Sequence, residues 1–177
     1  METSLQELYT KYGKLVYNLS LQYVQNKEDA EEITQDVFVA IHLSINSFKE
    51  QSKISTWIYR ITINKSLDFI RSKNRKRRFA VLTSLFFADG NEAHDETSHF
   101  NHPGVLLEQK EKLQHIYGFI NKLPPNQKTA LILSKLEYKS QQEIAEIMNL
   151  TPKAVESLIQ RAKTGLQKKL KLSEGKQ

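Results

Sequence analysis

The 177-residue sequence contains no cysteine, which excludes disulfides, thiolate metal sites and a cysteine nucleophile. No apolar run approaches the roughly 20 residues needed to cross a bilayer. The opening METSLQELYTKYG has no basic-then-apolar signal pattern, so the expected location is the cytoplasm. A Gly-rich phosphate loop, an H-E-x-x-H pair and a nucleophile triad are also missing. The expectation is therefore no enzyme and no cofactor. Alternating strand patterns are absent as well, which leaves an all-α reading. Hydrophobic residues make up 39% of the chain, low for a single compact domain and suited to two small helical units.

Charge is unevenly placed. Residues 1–78 hold 13 basic and 9 acidic side chains, residues 79–104 hold four acids and no Lys or Arg, and residues 105–177 hold 13 basic and 7 acidic side chains. Two basic blocks thus flank an acidic connector. Clustered Lys and Arg suit a polyanion through screened attraction and counterion release, although many soluble helical proteins are this basic.

In the first block, Leu5, Leu8, Tyr9, Tyr12, Leu15, Val16 and Leu19 recur at helical spacing. Asn26 is suited to cap a second helix, with Glu28, Asp29, Glu31 and Glu32 in its first turns and a stripe of Ala30, Ile33, Val37 and Ile41. The polar stretch 49–53 interrupts the pattern. Ser52 or Ser55 is the expected cap of a third helix carrying Trp57, Ile58, Ile61, Leu67 and Ile70. That helix runs into Arg71, Lys73, Arg75, Lys76, Arg77 and Arg78, six bases in eight residues. Residues 79–104 read as a flexible acidic linker, despite an apolar patch of Val81, Leu82, Leu85, Phe86 and Phe87.

The second block is expected to start with a helix near 105–121. Pro124-Pro125 marks the next helix start, because proline loses no hydrogen bond in a first turn. A helix-turn-helix follows over Gln141 to Lys163. Ile144, Ala145, Met148, Leu150, Val155 and Leu158 are the buried-type residues, and Ala145 is the small one where two backbones approach. Asn149 fills the turn position, as the non-glycine residue most tolerant of left-handed backbone. Thr151 caps the next helix and Pro152 starts it. Its outer face offers Lys153, Glu156, Ser157, Gln160, Arg161 and Lys163, hydrogen-bonding types suited to base edges and phosphates in a major groove. The plainer alternative is a helical hairpin in an ordinary bundle.

Four segments in order resemble a bacterial sigma factor of the extracytoplasmic-function class. They are LYTKYGKLVYNLSLQYVQNKEDAEEITQDVFVAIH, STWIYRITINKSLDFIR, INKLPPNQKTALIL and QQEIAEIMNLTPKAVESLIQRAK. The resemblance implies a region 2 helical bundle over residues 1–78, a linker over 79–104 and a region 4 helix-turn-helix over 105–177. The partners it implies are core RNA polymerase, promoter DNA and an anti-sigma factor, which in this class is often membrane-tethered.

Under that resemblance Glu32, Gln35, Asp36 and Phe38 match the polymerase-docking helix. The −10 element would be captured by the loop and helix bearing Phe48, Lys49, Ser52, Lys53, Trp57 and Asn64, since a pocket that stacks and bonds a flipped base recovers the cost of unstacking it. Trp57 shares a helix face with Ile61, which favours a core role over base stacking. Arg60 and Lys65 fit phosphate contacts, and Arg71, Arg75, Arg77 and Arg78 fit duplex backbone. The −35 element would be read by Thr151, Lys153, Glu156, Ser157, Gln160, Arg161 and Lys163. Glu156 and Leu158 depart from the family's usual basic residues, which puts any inherited −35 preference in doubt. Asp89, Glu92, Asp95 and Glu96 carry the charge expected of a linker threading a basic polymerase channel. A free 26-residue tether averages only about 25–30 Å, short of promoter elements more than one helical turn (~34 Å) apart. Polymerase, rather than the chain alone, would set that spacing.

Two competing readings remain at this level. His94, His99 and His102 lie near Asp95 and Glu96, but without a rigid element to hold ligand geometry no metal site is expected. The other is a stand-alone, dimeric helix-turn-helix regulator that binds duplex DNA without polymerase.

Overall fold

The computed structural model describes residues 4–48, 52–86 and 115–174. All regular structure among them is helical: α1 (Leu5–Val24), α2 (Lys27–Ser44), a single 3-10 turn at Ile45–Ser47, α3 (Ile54–Phe86), α4 (described over 115–120), α5 (Pro125–Lys135), α6 (Gln141–Met148) and α7 (Pro152–Glu174).

Each start has a local cause. Ser4 and Glu7 form a capping box on α1, and Asn26 accepts the Asp29 N–H at 2.8 Å to open α2. Pro124 and Pro125 begin α5. Ser140 and Glu143 form a second capping box on α6. The expected serine cap of α3 is not seen. The helix begins at Ile54, with the Lys53 carbonyl accepting from the Trp57 N–H, so Ser52 lies before the cap and Ser55 inside the first turn. α3 also continues eight residues past Arg78, through the first part of the stretch read as linker. The rest of that stretch, including Asp89, Glu92, Asp95, Glu96 and the three histidines, lies outside the described residues, as does most of the helix expected near 105–121.

The first three helices pack around Leu8, Tyr12, Val16, Ile33, Val37, Phe38, Ile41 and Ile58. Leu5 and Tyr9, expected in the α1 stripe, are exposed instead: the stripe is wider than the face that α2 and α3 cover. In the second block Ile120, Leu123, Leu131 and Ala162 form a small cluster.

The remaining core belongs to both blocks at once. Leu19, Tyr23, Tyr59 and Ile63 of the first pack in one cluster with Ala130, Ile132, Leu133, Ile144, Ala145, Ile147, Val155 and Ile159 of the second. Burying apolar surface at about 25 cal/mol per Å² makes such a shared core the main force drawing the blocks together.

Candidate nucleic-acid interface

The helix-turn-helix is built as its local chemistry requires. Asn149 ends α6 with φ 55° and ψ 48°, in the left-handed region, and its N–H bonds back to the Ala145 and Glu146 carbonyls. The Thr151 hydroxyl accepts the Ala154 N–H at 3.2 Å, and Pro152 follows at the first helical position. Ala145 is buried where the helices cross. Leu150, expected inside, is 38% exposed at the turn. On α7, Val155, Ile159 and Ala162 face the core. Lys153, Glu156, Gln160, Arg161 and Lys163 are exposed, as is Thr151, while Ser157 is half-buried at the edge. Leu158 is half-buried against the shared core, which gives an apolar residue at that position a packing reason.

On the first block, α3 and the segment before it bring together most of the strand-capture candidates. The Phe48 and Trp57 rings are tilted together with centroids 5.1 Å apart. Both are half-buried, so Trp57 combines a core contact with an open edge. Ser52 is half-buried and Lys53 exposed, whereas Lys49 lies outside the described residues. One and two turns further along α3, Arg60 is half-buried and Asn64 exposed, with Lys65 half-buried beside them. Arg71, Arg75, Arg77 and Arg78 are exposed along the following turns, and Lys73 pairs with Asp29 of α2 at 2.8 Å.

On α2, Glu32, Gln35 and Asp36 are exposed, whereas Phe38 is buried. It is 7% exposed, with its ring centroid 4.8 Å from that of Tyr9. The apolar residues that do reach solvent are Val39 and Leu43, 58% and 79% exposed. They follow Gln35 at intervals of four, so helical spacing alone aligns them with the acidic face, a signal present in the sequence.

Contacts across the two blocks were not foreseen. The Tyr59 hydroxyl and the Gln22 amide each donate to the Glu137 carboxylate, at 2.8 and 2.7 Å. The Tyr23 hydroxyl donates to Thr129 at 2.8 Å, and Asn121 donates to the Gln25 side chain at 2.6 Å. Burial holds the Tyr23 and Tyr59 phenols above the usual phenol range, with Glu137 adding to both effects. Lys128, 4% exposed, donates to the Tyr23 carbonyl at 2.9 Å and to Asn121 at 2.6 Å, and burial lowers its ammonium to about 8. Its place one turn before the fully buried Ile132 was the available signal. The Arg60 guanidinium donates to the Ile147 and Glu146 carbonyls at 3.2 and 2.6 Å. An open cleft of about 410 Å³ lies alongside, lined by Arg60, Asn64 and Leu67 on one wall and Asn126, Thr129 and Met148 on the other.

With that geometry in view, residues 8–76 match the family described as Sigma-70 region 2, and residues 113–166 match Sigma-70, region 4. Over 164 residues the chain is 31% identical to the ECF RNA polymerase sigma factor SigW of Bacillus subtilis, spanning 90% of this chain and 85% of that protein. It is 29% identical over 166 residues to the ECF RNA polymerase sigma-E factor of Haemophilus influenzae, spanning 92% and 85%. Two solved structures share the fold. One is CnrH in complex with the cytosolic domain of CnrY, with TM-score 0.65, 21% identity and coverage of 95% of this chain and 88% of that one. The other is the sigma factor RpoE of Bartonella quintana in complex with the anti-sigma factor NepR, with TM-score 0.61, 24% identity and coverage of 94% and 95%.

Proposed function

The chain belongs to the ECF family of RNA polymerase sigma factors, which direct promoter-specific transcription initiation, and we propose how its two blocks divide that task. The first block, residues 1–78, docks on core polymerase through Glu32, Gln35 and Asp36 of α2, with Val39 and Leu43 in place of Phe38 as the apolar part of the contact. It then captures the −10 strand along α3. Phe48 and Trp57 stack a base beside Ser52 and Lys53, Asn64 bonds a base edge, Arg60 and Lys65 hold phosphates, and Arg71 to Arg78 hold the upstream duplex backbone.

The second block, residues 105–177, reads the −35 element with the exposed face of α7. Ser157, Gln160 and Arg161 lie nearest the bases, and Thr151, Lys153 and Lys163 toward phosphates. Glu156 adds an acid to a surface that meets a polyanion, so it weakens backbone contact or accepts from a cytosine amino group. Polymerase supplies the chemistry of synthesis, and this chain supplies recognition and strand capture. The protein works in the cytoplasm, and an anti-sigma factor is its expected regulator, as in the solved complex of RpoE with NepR.

The observation that carries this reading is the pairing, in one chain, of a helix that runs from the Phe48–Trp57 ring pair into a basic run with a second, exposed recognition helix. In vitro transcription with core polymerase tests it: adding the protein to a genomic template should produce promoter-specific transcripts. Specific duplex binding by the chain with no such transcript would favour a stand-alone regulator instead. Within the sigma reading, Asn64→Ala should impair promoter opening more than closed-complex formation. Equal loss in both steps would remove Asn64 from base capture.

A further inference from the structure

α7 is longer than base reading requires. A recognition helix meets base edges with its N-terminal residues, and the major groove is only about 12 Å wide. From Lys153 to Arg161 the helix already rises about 12 Å, and it continues to Glu174. The second block supports its inner side well past Arg161. Leu166 packs with Tyr117 against the small cluster of Ile120, Leu123, Leu131 and Ala162.

The polar face does not stop where the base-reading residues do. At roughly 100° per residue, Thr164, Gln167 and Lys171 fall in the same direction as Lys153 and Gln160, and Lys168 falls beside Arg161. All four of these later residues are exposed. Between Glu156 and Glu174 the helix carries five bases and no acid. Among the described residues none of Arg161, Lys163, Lys168 and Lys171 forms an ion pair. A cation in the last turn complements the helix dipole, but that effect fades within one turn. Lys171 meets that need, whereas Lys163 and Lys168 stand too far back to share it.

A straight helix that enters the groove at its N-terminus carries its later turns out over the rim, because the groove winds around the duplex and the helix does not. Lys168 and Lys171 lie about 10–15 Å beyond Arg161 along the axis. The DNA groups within reach there are phosphates. We propose that the second half of α7 is a sequence-independent clamp for duplex phosphates next to the −35 element, with Lys168 and Lys171 as its contacts. The inference rests on the −35 reading of α7. It gives the acid in the base-reading half a counterpart: Glu156 weakens backbone contact at one end, and the two lysines restore it about 18–22 Å further along. Each neutralised phosphate releases condensed counterions, so the clamp adds about two units to the salt dependence and nothing to base preference.

The test follows the full chain by anisotropy on a dye-labelled, mixed-sequence duplex over a series of salt concentrations. Lys168→Ala and Lys171→Ala together replace exposed residues with the best helix former, so α7 should stay intact. This pair should lower the slope of log affinity against log salt by about two units and weaken binding about tenfold near 0.1 M salt. Lys11→Ala with Lys14→Ala, exposed on α1 and outside both proposed DNA faces, removes the same charge. That pair should change the slope by less than about half a unit. An unchanged slope in the α7 pair overturns the proposal, and so does an equal fall in both pairs, which would report net charge alone. In transcription with core polymerase, the α7 pair should lose output as salt rises while keeping the wild-type start sites. Lost output with an unchanged duplex slope would assign the lysines to an acidic protein partner and overturn the clamp. Altered start sites would do the same. A lowered slope in the α7 pair alone, with no transcript from the wild type, would sink only the sigma assignment of α7.

Discussion

α3 and α7 are both long helices with a polar face proposed to meet DNA, yet they are built in opposite ways. α7 separates its duties by angle, with Val155, Ile159 and Ala162 inward and Lys153, Gln160 and Arg161 outward. α3 uses one stretch for both: Tyr59 and Ile63 sit in the shared core, while Arg60 between them caps a helix of the other block. A face with a single duty is readable from spacing. A face with two duties depends on which partner is present, and that makes it a place where binding and folding are coupled.

The largest expected effect separates the shared core from the private one. Leu19→Ala and Ile41→Ala each truncate a fully buried side chain, and each should cost about 2–5 kcal/mol in chemical denaturation. Only Leu19, in the cluster common to both blocks, should also lower energy transfer between dyes placed on the two blocks. Equal loss of transfer in both variants would mean the blocks fold as one unit, and the contrast between α3 and α7 would weaken.

Next is a pH dependence located at the junction. Burial lowers Lys128 to about 8 from its ordinary 10.5, so between those values the unfolded chain binds a proton that the folded chain does not. Stability from this group therefore rises with pH across that window, by up to roughly 3 kcal/mol, and is lost as pH falls through about 8. Tyr23 and Tyr59, raised by burial, act in the opposite sense once the unfolded phenols ionise above about 10. The urea midpoint of the wild type should climb from neutral pH toward about pH 9.5. That of Lys128→Met should stay flat, and a flat wild-type curve would break the assignment.

A smaller effect belongs to the second block alone. Ser140→Ala removes a capping box from α6 and should cost about 1 kcal/mol by thermal unfolding. Asn149→Ala should cost a similar amount, about 1 kcal/mol, through its left-handed backbone, whereas Asn149→Gly should be nearly neutral. The smallest effect concerns α7 directly. Glu156→Lys should tighten duplex binding a few-fold and steepen its salt dependence by about one unit of slope. Single-strand binding should not change, and a matching change there would contradict the independence of the two faces.

Legibility from sequence followed the range of the interactions concerned. Asn26, Pro125, Asn149 and Thr151 have the expected roles because caps and turns are decided within four residues. The burial of Phe38 was not legible, since a helix with acids beside an aromatic does not say which face Tyr9 will cover. Leu5 and Tyr9 were placed inside because periodicity reports a stripe and not how much of it a neighbour reaches. Lys128 was passed over because charge alone suggests solvent, and its burial makes sense only once the end of α1 is brought to it.

The sequence by itself therefore determined the all-helical class, the starts of α2, α5 and α7, the helix-turn-helix and the family, all of which rest on short-range pattern and the order of motifs. Tertiary structure alone decided that the two basic blocks share one core, and that Arg60 and Lys128 are spent on each other's helix ends. Those pairings join residues that are 86 and 105 positions apart, and local propensity carries no information about which distant carbonyl a buried cation will find.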